Sequence, residues 1–346
     1  MLFRSIMGMF KIYVNKFKEI NFDRLNLLAS YIAKENNKSV SYVKFDMIRN
    51  FLKYKIGYTD YFKGDYINLT NEKKKDFLTS KNYISVIGYL NPKPYRVVMN
   101  DKLVFNQIYS KYLGRGYLDI RRSDVSDIKA FLKGKKNVFL KPTTSFGGQN
   151  ILKVVVSEID DVESFRANAI KNGQYLLEEE IKQHDYVNKI NPNAVNTFRI
   201  ITLYKDGVVH VLANSFRISL DLNPAIQCRD SYMRLDEDGK VLSKFIDDDG
   251  VIYDKHPLTG FDFNSIDKIP FVREAYSMVK EAALLVPEVR YVGWDVAITN
   301  DGPCIIEGNE FPSYGLIQNY LLNKDNPGHL KQIKDVIGDE IKNIKL

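Results

Sequence analysis

The chain has 346 residues, of which 45% are hydrophobic and 27% are charged, and its net charge is +7. This length favours two or three packed units, and the composition excludes disorder over most of the chain. The basic residues are scattered among acids without interleaved aromatics, which argues against a nucleic-acid partner. The charge fits either an anionic small-molecule partner or a compositional habit. The two cysteines form no paired motif, which indicates a reducing cytoplasm.

Residues 1–18 combine helical apolar spacing with basic side chains. Lys11 interrupts the apolar run that a signal peptide needs, and no small-residue cleavage site follows. No segment reaches the ~18–20 uninterrupted apolar residues needed to span a bilayer. Two interpretations stay open. The segment is either a helix packed on its own protein or on a partner subunit, or a helix lying on the inner face of the membrane.

Residues 1–95 are predicted to be mostly helical, and they contain no recognisable chemical constellation. The segments Phe22 to Ala33 and Val43 to Tyr54 both place apolar residues at helix-like intervals. The segment Asn91-Pro-Lys-Pro94 then interrupts the pattern, because proline breaks regular structure. We therefore expect the boundary of a unit close to this segment.

Beyond the boundary, the pattern predicts strands, turns and intervening helices. Two short strands, Val138–Leu140 and Ile151–Val156, are separated by a polar loop, and a helix is expected at Val162–Lys171. Asp206-Gly207 and Asp301-Gly302 are dipeptides that favour tight hairpin turns. The second half of the chain is therefore expected to contain at least two hairpins.

Residues 291–309 predict a hairpin that carries two carboxylates. If the three residues before Pro303 form its loop, as a type I turn whose third residue is a left-handed glycine, Thr299 pairs with Pro303. Counting outward from that pair sets Asp295 directly opposite Glu307. Directly opposed side chains share a face of the sheet, with Cβ atoms about 5 Å apart.

Asn309 lies two residues beyond Glu307, on the same face of its strand. Two carboxylates and an amide oxygen are hard ligands for Mg²⁺, with Mn²⁺ also acceptable, and other coordination positions remain for water and nucleotide phosphates. The alternative is that Asp295 and Glu307 are exposed strand carboxylates. Because their strands are otherwise apolar, they would then cost stability without a partner. We therefore predict a metal site at these three residues.

A lysine and a glycine-rich segment precede this hairpin. Lys141 ends an apolar strand, and the loop Thr143–Asn150 follows it. We assign Ser145, Gly147 and Gly148 to nucleotide binding, because the glycines permit close backbone approach and successive N–H groups can bind phosphate oxygens. The lysine would direct a point charge at the same phosphates. A Gly-Gly hairpin turn is the alternative, and the metal hairpin downstream favours the phosphate loop.

These residues resemble the ATP-grasp superfamily, and more narrowly its sugar-transfer-associated branch. The matching segments are Asn100-Asp-Lys102, Phe139-Leu-Lys-Pro142, Gln183-His184, Asn196-Thr-Phe-Arg199, Gly293-Trp-Asp295 and Glu307-Gly-Asn309. The resemblance covers about residues 60–325 and implies an α+β ATP-grasp fold, in which two α+β subdomains hold ATP between them. The implied units are a largely helical N-terminal region at 1–95, a first subdomain with the glycine-rich loop at 96–182, and a C-terminal subdomain with the metal hairpin at 183–346.

The resemblance also implies which residues bind the nucleotide. Lys102 and Lys141 would contact the phosphates. A hinge would bind adenine, partly through backbone groups. An acid with a histidine beside it would bind the ribose. The hinge and ribose residues are Glu178, Glu179, Glu180, Ile181, His184 and Asp185.

Two arginines are the remaining candidates. By resemblance, Arg199 would act with Lys141 and stabilise charge on the transferred γ-phosphoryl group. Arg217 lies on the next strand, where it is either a ligand of the substrate carboxylate or a surface arginine. Its geometry relative to Arg199 depends on the register of the intervening hairpin.

The implied activity is an ATP- and Mg²⁺-dependent ligase that forms an amide through an acyl phosphate. Because the branch occurs near bacterial surface-polysaccharide genes, the expected partners are an acidic sugar or related precursor and an amine, in the cytoplasm. Three alternatives stay open: a small-molecule kinase, a peptide or amino-acid ligase of another pathway, and a binding protein without catalysis. The oligomeric state is open as well.

Overall fold

Helices and two antiparallel sheets make up the chain in this computed structural model, which describes residues 21–144, 149–221, 230–315, 317–325 and 327–346. The expected helix within residues 1–18 and the expected phosphate-loop residues Ser145, Gly147 and Gly148 lie outside the described residues. Among the described helices, none is long and apolar enough to cross a membrane.

The expected N-terminal helices are confirmed, as is the helix at Val162–Lys171. Side-chain caps define some starts: Asn21 Oδ1 accepts from Arg24 N at 2.9 Å, which satisfies a free N–H of the first turn. The α-helices of the described residues span Phe22–Glu35, Val40–Tyr54, Tyr58–Lys63, Asn71–Lys74, Ser80–Leu90, Val97–Asn100, Lys102–Ile108, Val125–Leu132, Val162–Lys171, Asp185–Ile190, Val272–Ala283 and His329–Ile337.

The smaller sheet has four strands in the order β1-β4-β2-β3. Its strands are β1 (Tyr117–Asp119), β2 (Asn137–Lys141), β3 (Leu152–Val155) and β4 (Leu176–Glu179). Apolar residues of β2 and β4, such as Leu140 and Leu177, pack in one cluster with the helices Val125–Leu132 and Val162–Lys171. Because side chains alternate along a strand, Lys141 and Glu178 lie on the opposite face.

The larger sheet has seven strands in the order β11-β10-β5-β6-β7-β8-β9. Its strands are β5 (Thr197–Lys205), β6 (Val208–Ser219), β7 (Asp230–Met233), β8 (Phe245–Asp247), β9 (Ile252–Tyr253), β10 (Tyr291–Thr299) and β11 (Gly302–Asn309). The helix Val272–Ala283 packs on one face in the largest apolar cluster. The helices Ser80–Leu90 and His329–Ile337 cover part of the other face. Charged side chains occupy another part of that second face.

A bulge in β6 determines which face carries Arg217. Asp206-Gly207 forms the expected tight turn, with φ angles of 47° and 84°. Thr202 pairs with Val211 but Ile201 pairs with Ala213, so one extra residue is inserted in β6. An extra residue moves every later side chain to the other face of its strand. Arg199 therefore pairs with Ser215, and Arg217 shares its face.

A second bulge, in β11, sets the carboxylate pair. The expected pairing of Thr299 with Pro303 is wrong, because Thr299 pairs with Gly302. Without a further irregularity in the strands, that shorter loop would place Glu307 on the opposite face from Asp295. The register shifts between Asp295 and Val296, which pairs with Ile305, so an extra residue in β11 restores the expected Asp295–Glu307 pair.

Candidate active site

Three charged side chains lie in a row across neighbouring strands of the larger sheet. Asp295 on β10 pairs with Glu307 on β11 and with Arg199 on β5. The Arg199 guanidinium binds both carboxylate oxygens of Asp295: Nη2 donates to Oδ2 at 2.8 Å, and Nε donates to Oδ1. Asp295 is 5% exposed, so the pair is largely removed from water. The row joins the two expected metal carboxylates to the expected phosphoryl-stabilising arginine.

Of the two carboxylates in this row, Glu307 is the one whose charge neighbouring cations balance less completely. Burial raises the pKa of Glu307 above its ordinary value, and the neighbouring Asp295 carboxylate raises it further, while Lys102 and Arg199 act against the shift. Burial lowers the pKa of Lys102, Glu307 opposes that effect, and Lys141 reinforces it. The ammonium groups at the site therefore compensate Glu307 incompletely.

The expected ligands fit a divalent cation. Within the described residues, no three His, Cys, Asp or Glu side chains form a metal-ligating group. Asn309 completes the set here: its Nδ2 donates to Gly293 O at 3.5 Å, which leaves the amide oxygen as an acceptor. Two carboxylates and this oxygen are hard ligands, and Mg²⁺ would stabilise the charged form of Glu307 that burial disfavours.

Lys141 and Glu178 form a second charged group, on the smaller sheet. Lys141 Nζ donates to Glu178 Oε2 at 2.5 Å, and Asn106 Nδ2 donates to Oε1 at 2.7 Å. Burial alone would raise the pKa of Glu178, but the Lys141 ammonium and the Arg115 guanidinium lower it to about 2. Glu178 is therefore an ionised, 2% exposed carboxylate that fixes the lysine.

Arg115 connects the two charged groups, and sequence reasoning missed it. Its Nη2 donates to Glu178 Oε1 at 3.1 Å and to Ile306 O at 3.1 Å, and its Nη1 donates to Ile305 O at 2.8 Å. The carbonyls of Ile305 and Ile306 flank the β11 bulge, so one guanidinium links that bulge to the partner of Lys141.

The two glycines that flank Arg115 are a sequence signal that could have identified it. Gly114 has a φ of 58°, and a Cβ there would lie 2.9 Å from Cys304 Cβ. A Cβ on Gly116 would lie 3.1 Å from Glu179 Cδ. Glycines on both sides of an arginine therefore mark a segment that packs closely against neighbouring side chains.

A cavity of about 220 Å³ brings both groups together between the sheets. Lys102 N donates to Thr143 O at 2.8 Å, which ties the helix Lys102–Ile108 to the chain after β2. Of the expected residues, those that line the cavity are Lys102, Lys141, Glu178, Glu307 and Asn309. Asn100, Asn106 and Glu310 also line it.

The other expected nucleotide-binding residues that the structure describes lie outside the lining of this cavity. Glu179 accepts from Gly116 N at 2.6 Å, and Glu180 accepts from Lys153 at 2.6 Å. Together with Ile181, these two residues line a neighbouring cavity of about 380 Å³. His184 Nδ1 accepts from Tyr186 N at 3.0 Å, and Asp185 is exposed. Neither His184 nor Asp185 is among the described residues that line the 220 Å³ cavity.

Arg217 is paired within the sheet. Its Nη2 lies 2.5 Å from Asp230 Oδ2, and Asp230 is 6% exposed. Burial raises the pKa of Asp230, while the guanidinium acts against that shift. Arg217 shares the face of Arg199, and its ion pair distinguishes it from a solvated surface arginine.

Two glycines allow close packing around the metal hairpin. A Cβ on Gly293 would lie 2.7 Å from Pro312 Cβ, and a Cβ on Gly308 would lie 2.7 Å from Met99 Sδ. These spacings are shorter than real contacts, so a larger residue at Gly293 would clash with the Pro312 ring, and one at Gly308 would have to displace the Met99 side chain. The glycines therefore belong to the architecture of the site.

Comparison with known proteins gives one extended match. A family described as sugar-transfer associated ATP-grasp matches residues 80–326, which is more than half of the chain. No curated protein matches the sequence.

Solved structures show more distant likenesses. The ATP-grasp ligase PsnB complexed with minimal precursor is 14% identical, with a TM-score of 0.43 and coverage of 71% of this chain and 62% of that chain. L-amino acid ligase from Bacillus licheniformis is 12% identical, with a TM-score of 0.43 and coverage of 70% and 49%. D-alanyl-alanine synthetase A from Vibrio cholerae is 10% identical, with a TM-score of 0.45 and coverage of 72% and 67%. The chain thus spans about half to two thirds of the length of these proteins.

Proposed function

Because this chain belongs to the sugar-transfer-associated ATP-grasp family, we propose that it is an ATP- and Mg²⁺-dependent ligase that joins a carboxylate to an amine. The observation that carries the proposal is that Glu307 and Asn309 meet Lys102 and Lys141 around one cavity, with Asp295 paired to Glu307. Hard oxygen ligands beside ammonium groups suit a metal-bound polyphosphate.

The proposed reaction has two steps. The γ-phosphoryl group of ATP passes to the substrate carboxylate and ADP leaves, and the amine then displaces phosphate from the acyl phosphate. Lys102 and Lys141 bind phosphate oxygens, and Arg199 stabilises the charge of the transferred group. Since Asp295 accepts from Nε and from one N–H of Nη2, Nη1 and the second N–H of Nη2 are the donors that this pair leaves for an incoming oxygen. Bound Mg²⁺ supplies Lewis-acid neutralisation of phosphate charge.

The proposed organisation follows the two sheets. The smaller sheet falls within 96–182 and the larger within 183–346, and residues of both line the cavity. Nucleotide is proposed to bind at this junction, with adenine beside Glu179, Glu180 and Ile181. The description of the family as sugar-transfer associated supports a sugar-containing substrate. We propose that this substrate is an acidic sugar used in surface polysaccharide synthesis and that an amine is the second substrate.

The test is a screen of carboxylate and amine pairs that includes uronic acids. Purified protein with ATP and Mg²⁺ should release ADP when both substrates are present, and mass spectrometry should show a product equal to their sum less water. Glu307→Gln should lose this turnover. Glu281→Gln, which alters an exposed carboxylate paired with Lys111, should retain it. A phosphorylated product formed without any amine would overturn the ligase assignment in favour of a kinase.

A further inference from the structure

Glu310 is a buried carboxylate of the cavity that the proposed phosphoryl transfer does not use. It follows Asn309 directly, is 5% exposed and lines the 220 Å³ cavity. Among the described residues, none forms a hydrogen bond or an ion pair with its carboxylate. Carboxylates at largely buried positions without a protein partner concentrate where ligands bind.

The backbone of Glu310 is held in place. Asn91 Nδ2 donates to Glu310 O at 2.8 Å and to Tyr291 O at 2.7 Å. Asn91 Oδ1 accepts from Tyr291 N at 2.9 Å, and Asn91 is fully buried. One amide therefore fixes the residue after β11 to the first residue of β10. Glu310 is preorganised rather than carried on an adaptable loop.

A second acceptor without a donor lies in the same cavity. Asn100 Oδ1 is buried and has no hydrogen-bond partner among the described residues, and Asn100 lines the cavity with Glu310. Phosphates and carboxylates bring acceptors, so they cannot satisfy this pair. A protonated primary amine brings three N–H donors and a positive charge that would balance the Glu310 carboxylate.

The chain just after Glu310 passes beside Arg199, the arginine proposed to bind the transferred phosphoryl group. A Cβ on Gly293 would lie 2.7 Å from Pro312 Cβ and 3.5 Å from Arg199 Cδ, so the chain after Glu310 passes beside Arg199. Tyr83 Oη donates to Pro312 O at 2.7 Å. Burial raises the pKa of Tyr83, Glu310 raises it further, and Arg199 lowers it, so both charges act on this phenol.

We propose that Glu310 and Asn100 bind the protonated amine substrate. This inference rests on the proposed ligase function and names the second substrate site.

The test separates the two steps in the Glu310→Gln variant, with D-glucuronate as the acid. ATP labelled with ¹⁸O at the β–γ bridge should scramble its label in the presence of glucuronate without amine, at wild-type rate. Amide formation with methylamine should fall by roughly 10- to 100-fold, as expected for loss of a charge-assisted contact to the ammonium. Hydroxylamine is neutral at pH 7 and should lose far less. Glu310→Asp should recover part of the methylamine rate, and Glu281→Gln should behave as wild type.

Direct binding measurements show whether Glu310 binds the amine or a metal ion. Saturation-transfer NMR of protein loaded with Mg²⁺ and AMPPNP should detect methylammonium in the wild type, and Glu310→Gln should lose the signal. Weaker Mn²⁺ binding by Glu310→Gln, measured by electron paramagnetic resonance, would overturn the inference and make Glu310 a metal ligand. Unchanged methylamine kinetics would also overturn it. If wild type scrambles no label with any uronic acid, the ligase proposal fails and the inference fails with it.

Discussion

Arg199 and Asp295 lie directly opposite each other on β5 and β10, and their side chains form a two-point ion pair that is largely buried. Glu307, on the far side of Asp295, has no comparable guanidinium partner among the described residues. One carboxylate of the proposed metal site is therefore balanced by the fold itself, and the other is balanced only in part. The two carboxylates should respond differently to neutralisation.

Asp295→Asn is expected to destabilise the protein by about 3 kcal/mol, because it leaves the buried Arg199 guanidinium without a counter-charge. Glu307→Gln should change stability by less than about 1 kcal/mol or increase it, because the amide replaces a carboxylate that burial already penalises. Urea denaturation without metal or nucleotide measures the difference. Both variants should abolish Mg²⁺-dependent turnover, since each removes a ligand charge.

The stability measurement and the turnover measurement test two separate claims. Equal loss of stability in both variants would contradict the unequal compensation of the carboxylates. Near wild-type turnover in either variant would contradict the metal assignment.

Lys141→Ala is expected to raise the Michaelis constant for ATP by about tenfold and to lower turnover, because a charge-assisted contact to phosphate is lost. Lys141→Arg should rescue poorly, because the wider guanidinium would have to fit beside Arg115, which already donates to Glu178. Calorimetric titration with ATP measures the affinity. Lys111→Ala removes an exposed ion pair and serves as the control. Equal ATP affinity in wild type and Lys141→Ala would show that this lysine does not contact the nucleotide.

Much of the fold was predictable from local patterns. Apolar spacing located the N-terminal helices, and the turn dipeptides located both hairpins, because these signals depend on neighbours in sequence. The family resemblance supplied the ATP-grasp fold that the match over residues 80–326 confirms.

The face of the strand on which each site residue lies could not be predicted in the same way. The register around Arg217 was left open, and the Asp295–Glu307 pair was obtained from an incorrect loop length that the β11 bulge compensates. A bulge depends on tertiary partners, here including the Arg115 contacts to Ile305 and Ile306. Such partners lie too far away in sequence to leave a periodic signal.

Arg115→Lys is expected to weaken the site as well as the fold, because an ammonium cannot bind Glu178 and two bulge carbonyls in the geometry of a guanidinium. We expect a several-fold rise in the Mg²⁺ concentration for half-maximal turnover, with a loss of stability of about 2 kcal/mol. Arg166→Lys is the matched control. Arg166 donates to the backbone carbonyls of Ile120, Arg121 and Ser123, near the smaller sheet.

Arg166→Lys should lose stability without a change in Mg²⁺ dependence. If Arg115→Lys also leaves Mg²⁺ dependence unchanged, its guanidinium supports the fold without positioning Glu307.

His329 should make stability depend on pH. It lies at the start of the helix His329–Ile337, where Nδ1 and Gln332 Oε1 are 2.7 Å apart and Nε2 and Tyr291 Oη are 2.6 Å apart. Since the glutamine oxygen accepts, Nδ1 carries the proton and Nε2 accepts from the tyrosine. Burial lowers the pKa of His329 to about 4 from an ordinary value of 6.5.

Between those two values the unfolded chain takes up a proton that the folded protein does not. The contribution of His329 is therefore fully present above pH 6.5 and declines as the pH falls towards 4, by about 3 kcal/mol in total. Urea denaturation at half-unit steps from pH 7 to 4 should show this decline in the wild type and a flatter profile in His329→Gln. Parallel profiles for wild type and His329→Gln would mean that His329 takes up a proton in the folded protein as readily as in the unfolded chain, which would contradict the lowered pKa.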